Sequence, residues 1–159
     1  MTIRSLCLSL LLLTSASIAS AQMPNPYGPS IGLDSAKAAA APAIAEARKN
    51  NWRMAVAIVD SSGTLVYFEK MDGTQLGSVT VAMEKARAAA LYKRPTKVFQ
   101  EGVAAGGDGL RILGLTGAVP VEGGIPLLIN GQIVGAIGVS GATAQQDGQC
   151  AQTGAAAVK

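Results

Sequence analysis

The chain has 159 residues, with 13 Lys and Arg against 10 Asp and Glu, and it contains no histidine. That absence excludes His-based catalytic triads, His metal sites and the commonest protein ligand of haem iron. The small, dispersed positive charge and the 4% aromatic content argue against nucleic-acid binding, which needs a basic face or stacking platforms.

The first residues read as a secretory leader: Arg4 supplies a positive start, Leu6 to Leu13 an apolar core, and Ala19-Ser20-Ala21 a small-residue cleavage site before Gln22. The division predicted is a signal peptide over 1–21, an extended arm over 22–32 and one domain over 33–159. The apolar core is shorter than the roughly 20 residues of a membrane span, and no later segment is long and apolar enough, so no membrane span is predicted. The product would be periplasmic or secreted after cleavage near Ala21. Cys7 falls within the leader, leaving Cys150 without an intrachain partner. It reads as a buried small hydrophobe, with an intermolecular bridge or a metal ligand as the other uses.

After the Pro- and Asn-rich arm, Leu33 opens an alanine-rich helix with Asp34 or Ser35 as its cap. It continues to Asn50, and Pro42 predicts a kink or a restart. Arg53 to Asp60 and Thr64 to Met71 read as two paired strands around Ser61-Ser62-Gly63. Leu76 to Tyr92 reads as a helix in which Val79, Ala82, Met83, Ala86, Ala89 and Ala90 form an apolar stripe. Glu84, Lys85 and Arg87 fall mostly off that stripe and read as solvated charges. Pro95 ends the helix, and Thr96 can cap a short one to about Ala105; a glycine loop follows at 106–109, and Leu110 to Val119 shows no clear period. Ile125 to Ile129, Asn130-Gly131 and Ile133 to Val139 form a β-hairpin with a type I′ turn. Gly135, Gly138 and Gly141 strip side chains from its second strand, which points to a bulge or a close approach, and here to a binding surface on the sheet. Gln145 to Val158 closes the chain as a helix. Paired strands joined by tight turns predict an α+β domain with a central antiparallel sheet packed by helices.

Few residues specify chemistry. Gly102 to Gly109 lacks the GK[ST] ending of a phosphate loop, and Gly135 to Gly141 lies within a strand. Ser140 has neither a G-x-S-x-G frame nor a histidine to activate it. No two carboxylates are spaced for acid–base work, and no catalytic residue is assigned. Glu122, just before Gly123-Gly124, is the acid nearest the expected ligand surface; a solvated rim residue is the alternative.

Taken in order, AVAIVDSSGTLVYFEKMDG, a helix containing AMEKARAAA, the tripeptide RPT and GGIPLLINGQIVGAIGVSGATAQQD resemble the GlcG/HbpS haem-binding protein family from about Leu33 to the C-terminus. The resemblance implies a profilin-like α+β domain, symmetric homo-oligomers with octamers among them, and haem as the cofactor in sequestration or sensing. A related domain binds tetrapyrroles through histidine, which does not carry over to this chain. The hydroxyl ligand proposed in the haem-binding branch is best matched by Thr96, the expected iron ligand, with a tyrosine, a methionine, Cys150, a lysine or water as the alternatives. The ligand-binding set expected is Thr96, Lys85, Glu122, Gly123, Gly124, Gly138 and Gly141, with the porphyrin against glycine-stripped backbone and its propionates at Lys85, Arg87, Lys93 or Arg94. Other relatives accompany glycolate or diol metabolism, which leaves two further readings: a binding enzyme or enzyme accessory for small hydroxy acids or diols, and a structural oligomeric module.

Overall fold

Alanine and glycine set the geometry of this fold, because they let helices sit close to the sheet. In a computed structural model that describes residues 25–159, four antiparallel strands run in the order β2-β1-β4-β3. The strands are β1 (Ala55–Asp60), β2 (Leu65–Lys70), β3 (Gly124–Ile129) and β4 (Gln132–Ser140). The helices are α1 (Leu33–Lys49), α2 (Ser78–Tyr92), α3 (Thr96–Ala104) and α4 (Ala144–Ala155), with a 3-10 run at Gly107–Gly114. This is the α+β architecture predicted. The leader over 1–21 and the first residues of the arm lie outside the described residues.

Both hairpins follow from local chemistry. Asp60 caps the first turn, its carboxylate accepting the amides of Ser62 and Thr64 at 2.9 Å each. Asn130 and Gly131 turn the second with φ of 49° and 76°, the left-handed pair a type I′ turn requires. The central seam pairs β1 with β4, from Ala55 opposite Ser140 to Asp60 opposite Gly135.

Each face of the sheet carries its own core. On one, Val56, Ile58, Leu127, Ile137 and Val139 meet the alanines of α1 and Cys150 and Ala151 of α4. On the other, Ala55, Ala57, Val59 and Ala136 meet Ala82, Ala86, Ala89 and Ala90 of α2. Helix α1 runs unbroken through Pro42 rather than restarting. Proline costs it a backbone hydrogen bond, but Ala36, Ala39, Ala40, Ala43, Ile44 and Ala47 are all buried along its length, and tertiary packing outweighs a local break. Its N-cap is Gly32 without a side-chain cap; Asp34 instead stands in the first turn, where a carboxylate meets the positive end of the helix dipole.

The glycines of β4 are occupied by the protein itself. A Cβ at Gly138 would collide with the carbonyl oxygen of Ala82, one at Gly135 with that of Val59, and one at Gly141 with that of Arg53. Gly138 lies opposite both Ala57 and Gly124, giving α2 a flat floor. The expectation that Gly138 and Gly141 face a ligand is therefore corrected: their missing side chains make room for backbone within the fold.

The described part of the arm is held to β4 and to the end of α2. Gly28 donates to the Ile133 carbonyl at 2.9 Å and Ile31 to that of Val134 at 2.8 Å, while the Tyr27 hydroxyl donates to the Ala90 carbonyl at 2.9 Å. The 3-10 run packs mainly along α3 and buries none of its residues, leaving Leu110 and Leu113, and Leu115 just after it, exposed.

Candidate functional site: a cleft over a buried ion pair

The start of β3 lies between two helix beginnings, and a cleft opens there. Pro95 and Lys97 at the head of α3 form one wall, Gln145, Gly148, Gln149 and Gln152 of α4 the other, and Glu122, Gly123, Gly124 and Ile125 the floor, enclosing about 460 Å3. Helix α4 is aimed by a capping box: Thr143 accepts the Gln146 amide and Gln146 accepts the Thr143 amide. That cap turns Asp147 inward and sets Gly148 against the floor.

Under the floor lies an ion pair cut off from solvent. Lys85 and Asp147 are 1% and 3% exposed. Lys85 Nζ donates to Asp147 Oδ2 at 2.7 Å and to the Val139 carbonyl at 3.1 Å, and Asp147 Oδ1 accepts the Ala142 amide at 3.1 Å. Burial pushes the Asp147 carboxyl above its ordinary range; the hydrogen bond and charge of Lys85, with the amides of Ala142 and Gly141, oppose that rise without cancelling it. Gly123 covers the pair. A side chain there would start 2.6 Å from the Val139 oxygen and 2.9 Å from Lys85 Nζ, and its φ of 129° also favours glycine.

Lys85 is thus not the solvated charge its helix position suggested, nor a group open to a propionate; it is a buried tie joining α2, β4 and α4. The missed signal was positional. Lys85 is three residues after Ala82 and four before Ala89, two buried alanines of the stripe, so a helical projection places it on the inward face.

Thr96 is fully buried, and its hydroxyl oxygen accepts the Gly124 amide at 2.9 Å. It neither caps α3, whose N-cap is Pro95, nor turns its oxygen toward the open cleft; it pins the first residue of β3. Glu122 is half-buried at the rim. Its amide donates to Gln100 Oε1 at 2.8 Å, and its carboxylate accepts Lys97 Nζ at 3.2 Å. It rests over Gly148, where a Cβ would meet Glu122 Oε1 at 2.5 Å. Lys97, which the motifs did not single out, is the cation of the cleft, with its side chain 52% exposed. The other expected propionate partners lie elsewhere. Arg87 lines a separate groove with Met83 and Glu84, Lys93 stands 4.1 Å over the Tyr27 ring, and Arg94 stands 5.9 Å over that of Phe99.

A family model described as "Haem degrading protein HbpS-like" matches residues 31–156. The chain belongs to this HbpS-like family. It is 40% identical to Protein GlcG of Escherichia coli (strain K12) over 95 residues, 60% of this chain and 69% of the relative. The crystal structure of HbpS superposes with a TM-score of 0.75 and 29% identity, covering 83% of this chain and 92% of the other. A PduOC:heme complex does so with a TM-score of 0.73 and 27% identity, covering 82% and 96%. The α+β fold of this HbpS-like chain is therefore that of its solved relatives.

As chemistry, the cleft offers an ammonium, a carboxylate and the amides of α4 on an otherwise apolar and glycine floor. Among the described residues no group of three or more His, Cys, Asp or Glu is placed to hold a metal ion. No described helix is long and apolar enough to cross a membrane.

Proposed function

We propose that this chain binds a tetrapyrrole, haem in the first instance, in the cleft between α3 and α4, as a periplasmic or secreted protein acting in haem sequestration or sensing. The observation that carries the reading is the cleft itself: about 460 Å3 beside Lys97, on the fold of a relative solved as a heme complex. Lys97 donates one of the three N–H bonds of its ammonium to Glu122, and the other two face a propionate. The fit covers the edge of the macrocycle and not its iron, because the cleft lining contains no histidine, cysteine, methionine or tyrosine. No step through iron is assigned to these residues.

Location outside the cytoplasm rests on the leader read in the first 21 residues. Assembly into a homo-oligomer, octameric in the fullest case, is supported by the exposed Leu110 and Leu113 of the 3-10 run, Leu115 just after it and Val98 of α3.

A haemin titration of the purified protein tests the reading. A saturable Soret shift with defined stoichiometry, weakened about tenfold in Lys97→Glu by loss of one charge-assisted contact, is the expected result. Weak, unsaturable binding overturns it. A second reading is favoured by Gln145 and Gln152, which line the cleft and whose amides suit the hydroxyls of a small hydroxy acid or diol. A thermal shift with such a compound, and none with haemin, selects it.

A further inference from the structure

We infer that the cleft recognises the carboxylate-bearing edge of a planar tetrapyrrole and is indifferent to the metal at its centre, so that an iron-free porphyrin binds as tightly as haemin. This rests on the tetrapyrrole reading above and narrows it to a ligand class.

Protein-bound haem iron takes its axial bond from histidine, cysteine, methionine or tyrosine. Histidine is absent from the whole chain. All three tyrosines donate their hydroxyls within the fold: Tyr27 to the Ala90 carbonyl at 2.9 Å, Tyr67 to Glu69 Oε2 at 3.0 Å and Tyr92 to the Thr116 carbonyl at 2.6 Å. Cys150 is fully buried. Its burial, with the nearby charges of Glu46 and Asp147, pushes the thiol up to about 12, which keeps it from becoming the thiolate that binds metal. Met54 and Met71 are buried in the core beneath α1. Met83 lines a groove beside Ser62, Thr64 and Arg87, and Met71 borders another beside Arg48, Arg53 and Asp72; neither groove is the cleft. Thr96, the hydroxyl expected on iron, is committed to the Gly124 amide.

A ligand is discriminated only by interactions that differ between it and its competitor. The cleft lining holds no histidine, cysteine, methionine or tyrosine, and its one amine, Lys97 Nζ, is held by Glu122 at 3.2 Å, so haemin and iron-free porphyrin differ little there. Their shared propionates and ring face carry the affinity, through Lys97 and Ile125 of the floor.

The experiment compares haemin with iron-free protoporphyrin IX in equilibrium titrations of the purified protein, each read by quenching of Trp52 fluorescence. The expected result is two dissociation constants within about threefold, both weakened to the same extent by Lys97→Glu. Bound haemin also shows a Soret band that moves on adding imidazole, because an axial position is open. Haemin binding more than tenfold tighter than the iron-free porphyrin overturns the inference while leaving tetrapyrrole binding intact. So does loss of that preference in Met83→Leu or Thr96→Val, which would place the iron on that residue. If neither porphyrin binds saturably, the tetrapyrrole reading itself fails and the inference falls with it.

Discussion

Two glycine clusters of this chain look alike as sequence and differ in what fills them. Gly135, Gly138 and Gly141 along β4 are closed over by the protein's own carbonyls, so their missing side chains measure how closely backbone packs on the sheet. Gly123, Gly124 and Gly148 border the cleft, and the space a side chain would take is filled by the Val139 carbonyl and Lys85 Nζ at Gly123, by the Lys85 carbonyl and Thr96 at Gly124, and by the Glu122 side chain at Gly148. A glycine-rich strand thus reports a close approach without saying whether the visitor is internal or external. What distinguishes the two is the open side: α2 packs on both Gly138 and Gly124, but only the second cluster also borders a gap, between α3 and α4.

The largest effect expected is under the second cluster. Lys85→Met strands the Asp147 carboxylate without its ammonium, and breaking a buried pair from one side costs about 3–5 kcal/mol. Chemical denaturation measures the loss. The double variant Lys85→Met with Asp147→Leu recovers most of it, since replacing both charges by apolar groups is close to neutral; no recovery would show that the pair is worth more than mutual neutralisation.

The first cluster comes next. Gly138→Ala drives a Cβ into the Ala82 carbonyl, and overpacking of this kind costs about 3 kcal/mol. A midpoint of urea unfolding equal to that of the parent chain would mean that α2 can lift away, contrary to a closed floor. Gly148→Ala is the matched control at the cleft. Its Cβ meets the end of the flexible Glu122 side chain, which swings aside, so stability falls by under about 1 kcal/mol while ligand affinity at the cleft changes.

Cys150 supplies a pH dependence that sharpens the contrast between closed core and open cleft. Its thiol is raised to about 12 in the folded state, first by burial and then by Glu46 and Asp147, against about 8.5 in an unfolded chain. A raised group stabilises the fold fully below its unfolded value and loses that contribution as pH climbs toward the folded one. The prediction is a decline in stability from about pH 8.5 upward that is shallower in Cys150→Ala, read by denaturation at a series of alkaline pH values. Thiol reagents at neutral pH should modify Cys150 only as fast as the chain opens; modification faster than unfolding would show that the α1–α4 core admits solvent.

Much of the fold is legible in the sequence because its signals are local. The Asn130-Gly131 turn, the strands around Ser61-Ser62-Gly63 and the alanine stripe of α2 each arise from neighbours in the chain, and all appear where the residues place them. Pro42 misleads because the packing that overrides it comes chiefly from helix α4, distant in sequence. The cleft was half legible: Gly123, Gly124 and Glu122 stand at it, while Lys97 carried no motif. Lys85 and Asp147 are 62 positions apart, and no local pattern joins them. Only the fold, by running α2 beneath β4 and α4 back across its end, brings those charges together.

The order β2-β1-β4-β3 also bears on how the chain reaches its native state. Each hairpin closes over a short turn, whereas the β1–β4 seam joins strands separated by α2, α3 and the 3-10 run. Local pairings form quickly, and long loops close slowly. Until the seam closes, each hairpin presents one unpaired inner edge, and β1, reading AVAIVD, is the kind of apolar, β-prone edge that recruits other chains. Its partner β4 breaks its own apolar run with Gly135 and Gly138, residues that lower β-propensity. The same glycines that admit α2 in the finished protein therefore make β4 a poor template for self-association while the sheet is still two halves.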